Sequence, residues 1–322
     1  MSTAVSCLVF EGEGRFDMKD VAEISRRMRS LAHRLGWLKA QVAFGRLTSH
    51  VRILPSWIVV GAQRSGTSSL YEYLVSHPLV LRAAREEIHY FDNNYHRGIK
   101  WYGGHFATRI SARFVARDED CEAMTGEATP YYMAHPLALQ RIAKNLPRVK
   151  VLVILRNPVD RAYSHFHHER NLGREPLQSF EDALDHEPQR LEGEVARILA
   201  ENSSYYSYAH QNFSYITRGY YAEQVARIFD LFPRHNVLVT SSERLSKEPA
   251  VVYAEILEFL GLPKYRLRRF PRYSALSYPP MRPDLRTRLQ TIFAAENDRL
   301  FKLVKVNFGW NEAMSLHDNS PR

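Results

Sequence analysis

The sequence predicts an α/β fold, a parallel sheet covered by helices on both faces, and three observations carry that prediction. Two short runs of branched apolar residues, Ile58-Val59-Val60 and Val151-Leu152-Val153-Ile154-Leu155, have the length and composition of buried strands. Each is followed within a few residues by a stretch of helical spacing. Between the first strand and its helix lies a turn bracketed by Gly61 and Gly66, the strand, turn and helix order that begins a βαβ unit.

Along the chain, residues 1–14 read as a loose leader, with Gly12 and Gly14 among acidic neighbours. Apolar side chains at Val21, Ile24, Met28, Leu31, Leu35, Leu38 and Val42 then alternate steps of three and four and predict a helix with one narrow apolar seam. Arg26, Arg27, Arg29, Arg34 and Lys39 occupy its other positions, and such a seam suits three uses: packing on the chain's own domain, a homodimer, or contact with an anionic membrane surface. Pro55 closes the approach to the first strand, and residues 68–74 have helical spacing up to the stop before Pro78. A helix through 137–142 precedes the strand 149–155, and another follows over 159–168. Residues 171–217 are polar and poor in strand signals, which predicts a helical insertion or lid. A helix over 218–231, a short strand over 237–240 and a helix over 250–260 closed by Gly261 complete the pattern. The division expected is an N-terminal leader and basic helix over 1–54, one α/β domain over 55–315, and a tail over 316–322.

Of the 322 residues, 45% are hydrophobic and 25% charged, which excludes global disorder, collagen and a disulfide-stapled miniprotein. The apolar runs are too short to span a bilayer. No signal-peptide pattern opens the sequence, so secretion by that route is not expected. Cys7 and Cys121 give no metal-ligand spacing, and a reduced cytoplasmic setting is the default. The net charge of +9, from 44 Lys and Arg against 35 Asp and Glu, favours acidic partners without choosing among nucleotide, nucleic acid, sulfated glycan and anionic lipid. Nine basic and three acidic residues fall within 15–52, so much of the excess lies outside the segment that holds the chemistry.

The turn 61–67, Gly-Ala-Gln-Arg-Ser-Gly-Thr, has the frame of a phosphate cradle, in which glycines let several backbone N–H groups converge on one anion at the positive end of a helix. A nucleoside-triphosphatase loop would place Lys after the second glycine, where this chain has Thr67; the nearest cation is Arg64. Arg156 stands at the end of the 149–155 strand, with Ser164 eight residues on. Parallel strands share one C-terminal edge, so the loop and Arg156 are expected to face one crevice. An Arg fork and a Ser hydroxyl suit a second phosphate not chained to the first, and two separated anion sites imply a nucleotide phosphorylated at two places.

At these residues the sequence resembles the PAPS-dependent sulfotransferases (PAPS is 3′-phosphoadenosine 5′-phosphosulfate), most closely the heparan-sulfate-type and bacterial carbohydrate sulfotransferase branch. The matching pieces are the 61–67 loop, Arg156 to Ser164, Glu87-Ile88-His89-Tyr90-Phe91-Asp92, Gly126 to Tyr132, Arg218-Gly219-Tyr220-Tyr221 and Tyr278-Pro279-Pro280-Met281, in family order over about 55–312. The resemblance implies a P-loop-like α/β fold, PAPS as donor, and sulfuryl transfer with no metal required. It implies that Arg64, Ser65, Gly66, Thr67, Ser68, Arg156 and Ser164 hold the donor, and that Glu87 is the base, with His89 beside it. Many relatives carry Lys where Arg64 stands; Arg keeps a fixed charge but is a poor proton donor, so its part would be electrostatic. The branch's C-terminal cysteine pair and Lys-Gly-Arg motif do not occur here.

Sulfuryl transfer to a hydroxyl needs an in-line nucleophile, charge stabilisation and a base. Glu87 and His89 are two apart and share a side if their segment is extended. His89 is itself a candidate base, because histidine serves in another branch of the family. Asp92 and Glu127 are acceptor contacts or groups that fix their loops. Tyr131, with Tyr132, Trp101 and Tyr102, either lines a pocket for a sugar or aromatic acceptor or belongs to the core. His165, His167 and His168 on one helix do not gather a metal. The leading expectation is PAPS-dependent transfer to a small or glycan acceptor, with no nucleic-acid partner. The alternatives are a P-loop kinase or hydrolase, and a non-enzymatic nucleotide or nucleic-acid binder that uses the basic arm.

Overall fold

Trp57–Gly61 is a strand (β1) because every one of its five residues is buried, and its side chains divide between the two faces of the sheet. Ile58 and Val60 enter one core, and Trp57 and Val59 enter the other. The same alternation runs through Lys150–Leu155 (β4), with Val151, Val153 and Leu155 on the first face and Leu152 and Ile154 on the second. The computed structural model describes residues 45–202, 205–273 and 276–311. The leader, the seam over Val21 to Val42 and the tail from 316 lie outside the described residues.

Three further strands, Val80–Leu81 (β2), Met124–Ala128 (β3) and Val237–Ser241 (β5), complete one sheet in the order β2-β3-β1-β4-β5. All four pairings are parallel. Trp57, Ile58 and Val59 lie in register with Gly126, Glu127 and Ala128. The sequence pattern did not mark β3, since Met-Thr-Gly-Glu-Ala has neither a branched run nor clean alternation. Its glycine is required by packing: a Cβ on Gly126 would stand 2.2 Å from the Trp57 indole.

Helices cover both faces. Thr67–Leu74 (α1) packs Leu70, Tyr71 and Leu74 on the second face, together with Val252, Ile256 and Leu257 of Pro249–Leu260. On the first face lie Ala138–Asn145 (α2), Tyr221–Leu231 (α7) and the end of Pro283–Val304 (α9). Pro158–Asn171 (α3) leads from β4 into the expected insertion, which is helical: Phe180–Leu191 (α4), Glu194–Glu201 (α5) and Tyr208–Asn212 (α6). A third core joins α3, α4 and α9 through Phe166, Phe180, Leu184, Leu289 and Phe293. The 22-residue α9 was not predicted; its apolar positions are spread among charged ones, and only packing on α3 and α7 shows which face is inward.

Candidate active site

β1 is flanked by β3 on one side and β4 on the other, so the chain reverses its direction of winding there, and the crevice beyond the strand ends receives the loops after β1 and β4. The two loops meet as the sequence predicted. The Ala62 N–H donates to the Ile154 carbonyl at 2.7 Å, and Arg156 Nη1 donates to the Arg64 carbonyl at 3.1 Å. Arg64 Nε donates to Ser164 Oγ at 3.1 Å, which joins the first loop to α3.

The loop has the properties of an anion cradle. α1 begins on Gly66, at φ +93°, with no side chain capping its first turn, so its leading N–H groups point toward the crevice. Ser65 Oγ is fully buried and has no hydrogen-bond partner among the described residues. These features fit a phosphate-bearing donor. Thr67 is buried at the first position of α1. Ser68 follows on the same turn, near enough to the Glu86 carboxylate to draw its pKa down against the larger upward push of burial.

Across the crevice stands a three-member array. His89 Nδ1 lies 2.6 Å from Asp92 Oδ2, and His89 Nε2 lies 3.1 Å from Glu87 Oε2. The segment is not extended, for His89 sits at φ +54°; a left-handed turn, and not the alternation of a strand, brings Glu87 and His89 together. Burial by itself would drive the imidazole neutral, but the Asp92 and Glu87 carboxylates overturn that and hold its pKa up at about 10. His89 is therefore protonated at neutral pH and cannot accept a proton there. The Asp92 side chain is fully buried and Glu87 is 43% exposed, so Glu87 is the carboxylate of the array that meets the crevice.

Glu127 does not reach the crevice. It is fully buried, taking hydrogen bonds from the Tyr102 hydroxyl at 2.6 Å, the Thr129 hydroxyl at 2.7 Å and the Tyr132 hydroxyl at 3.2 Å, with the Ile88 N–H at 3.4 Å. Burial raises its pKa to about 7 against the pull of these donors. Of the two readings for Glu127, acceptor contact is thus corrected to loop fixing: its carboxylate holds the start of the segment that carries His89. Asp92 likewise fixes His89. Tyr131 is buried, its hydroxyl 2.8 Å from His210 Nδ1 and its ring beneath the Arg218 guanidinium at 4.7 Å. Tyr102 and Tyr132 are core residues.

Three further side chains join the site, none of which was given a role there from the sequence. His168 Nδ1 lies 3.5 Å from Arg64 Nη1; burial and then Arg64 lower its pKa to about 4, against a smaller opposing pull from Glu87 that places Glu87 within electrostatic reach. Its signal was the spacing of four from Ser164, which on a helix puts both on one face. Arg218, 5% exposed, donates to Gln63 Oε1 of the loop, and Glu169, fully buried, lies near enough to Arg174, Arg218 and Gln63 for them to draw its pKa down against the larger upward push of burial. Among the described residues no group of three or more His, Cys, Asp or Glu has metal-binding geometry, and no helix is long and apolar enough to cross a membrane.

A family model described as "Sulfotransferase domain" matches residues 54–300. The chain is 24% identical to the "Membrane-associated sulfotransferase kil1" of Dictyostelium discoideum, over 80% of this chain and 66% of that protein. It is 29% identical to the human "Bifunctional heparan sulfate N-deacetylase/N-sulfotransferase 3", over 78% of this chain but only 30% of that much longer protein. Identity to the mouse "Heparan sulfate glucosamine 3-O-sulfotransferase 6" is 28%, over 81% of this chain and 75% of that one. Among solved structures, the sulfotransferase from Alicyclobacillus acidocaldarius superposes with a TM-score of 0.59 at 30% identity, covering 80% of this chain and 99% of that one. With the strand-end crevice, the loop and the match over 54–300 in agreement, this chain belongs to the sulfotransferase domain family.

Proposed function

We propose that the chain moves a sulfuryl group from PAPS to a hydroxyl, or an amine, of a carbohydrate-like acceptor, with Glu87 receiving the acceptor proton. The observation that carries this reading is the convergence of Arg64, Arg156 and Ser164 at one edge of the sheet, with the exposed Glu87 carboxylate facing them. When bound, the donor supplies an activated sulfur whose bond to the 5′-phosphate oxygen breaks as the bond to the acceptor forms. The N–H groups at the start of α1 and the Ser65 hydroxyl would hold the 5′ end, and Arg156 and Ser164 the 3′-phosphate. The Arg64 guanidinium would stabilise charge developing on the oxygen that departs. Glu87 takes the acceptor proton, and protonated His89, braced by buried Asp92, keeps that carboxylate in place.

Both acceptor atoms are included because relatives named for N-sulfation and for 3-O-sulfation of heparan sulfate are about equally similar to this chain. The kinase or hydrolase reading is not favoured, since the loop carries Thr67 where the triphosphatase lysine would stand. A cytoplasmic setting belongs to the same proposal; its support is the two cysteines in 322 residues, and cell fractionation tests it. The test of function has two steps. Adenosine 3′,5′-bisphosphate should raise the thermal midpoint where ATP and duplex DNA do not, and labelled PAPS should pass its label to a member of a panel of glycan and small hydroxyl or amine acceptors. Stabilisation by ATP alone would overturn the reading.

A further inference from the structure

Arg64 adopts φ +67°, a backbone conformation that costs a non-glycine residue free energy and persists only where its surroundings impose it. Arg156 Nη1 donates to the Arg64 carbonyl, and the residue before Arg64 is anchored in its turn. Arg218 Nη1 donates to Gln63 Oε1, so the amide oxygen faces the guanidinium, and the buried Glu169 carboxylate lies close by. Neither anchor is free to move. Arg218 Nη2 donates to the His210 carbonyl at 2.9 Å and its guanidinium lies on the Tyr131 ring, while Glu169 Oε2 accepts from Arg174 Nη1 at 3.2 Å. Both side chains are buried.

We infer that Gln63 is a positioning residue: held by the Arg218 guanidinium, it keeps Arg64 in the left-handed conformation that sets the Arg64 guanidinium on Ser164 and His168. The inference rests on the proposed function only for the consequence in turnover; the backbone clamp stands without it. The clamp also gives the helical insertion a part in the site, because the carbonyl that orients Arg218 comes from α6.

A double-mutant cycle tests the clamp, with Gln63→Met, Arg64→Gly and the pair measured in the full chain. Three readouts are taken: turnover with PAPS, the dissociation constant of adenosine 3′,5′-bisphosphate, and the urea midpoint without ligand. In the parent background Gln63→Met should lower kcat about tenfold, with KM for PAPS changed less than threefold, because Arg64 acts on the moving group more than on the bound ground state. In the Arg64→Gly background the same change should alter kcat less than twofold. In urea, Arg64→Gly should raise the midpoint of the parent, where glycine relieves the strain, and raise it less in Gln63→Met. Equal effects of Gln63→Met in both backgrounds, in kcat or in urea, would overturn the inference, since a merely structural glutamine would act regardless of residue 64. If no acceptor is ever sulfated, the proposed function fails while the urea cycle still decides the clamp. If Gln63→Met does not fold, Gln63→Ala takes its place in the same cycle.

Discussion

The two walls of the crevice are made in different ways. The wall we assign to the donor is chiefly backbone: a strand, a tight loop and the open first turn of a helix, all within residues 57–74. The wall we assign to the acceptor is chiefly side chains, and they come from separate places. Glu87, His89 and Asp92 lie on an irregular segment, which is held by Glu127 of β3, and Glu127 is held in turn by hydroxyls of Tyr102, Thr129 and Tyr132. Backbone N–H groups serve any phosphate, whereas a base must be set against one acceptor atom. The first task needs a short local motif, and the second needs a packed core beneath it. Strain lies on both walls, with Arg64 and His89 in left-handed backbone on opposite sides.

If the walls divide the work in this way, changes in each should separate. The largest effect is expected at Glu87. Glu87→Gln removes the carboxylate we propose as the base and keeps the size of the side chain, so turnover should fall by ~10²–10⁴ while adenosine 3′,5′-bisphosphate binds as before. Retained turnover in steady-state assays would remove Glu87 from the mechanism. On the donor wall, Arg156→Ala removes a charge-assisted fork worth roughly 1.5–3 kcal/mol, so calorimetry should show bisphosphate affinity lower by about tenfold or more. An unchanged dissociation constant would mean that the second phosphate is held elsewhere.

The smallest effect concerns the support beneath the acceptor wall. Burial raises the Glu127 pKa from 4.5 in the unfolded chain to about 7 in the fold. The folded state therefore holds a proton that the unfolded chain gives up, and the stabilisation is full below the unfolded value and lost as the pH rises through about 7. His89 acts in the same direction over a higher window, from 6.5 to about 10. Comparison with Glu127→Gln isolates the carboxyl: between pH 5 and pH 8 the thermal midpoint of the parent should fall more steeply than that of the variant. Parallel curves would show that Glu127 does not titrate in that range. The bisphosphate dissociation constant of Glu127→Gln should match the parent, since the donor wall does not rest on Glu127.

The sequence by itself determined the parallel sheet and the donor loop. Short apolar runs, a glycine-bracketed turn and an Arg at a strand end act over a few residues, so their meaning does not depend on distant partners. It also placed Glu87, His89 and Asp92 in one segment. Only the tertiary structure decided how their charges are set against one another. The protonation of His89 is the outcome of a contest between burial and two carboxylates, and neither burial nor distance is written in a linear order of residues. Glu127 and Tyr131 show the same limit: a carboxylate and a phenol look alike in sequence whether they meet a ligand or hold up a wall, and here both are buried on partners of their own. β3 went unmarked for a related reason. Its glycine, a poor strand former, is there because the Trp57 indole of the adjacent strand leaves no room for a Cβ, and that neighbour stands 69 residues away in sequence.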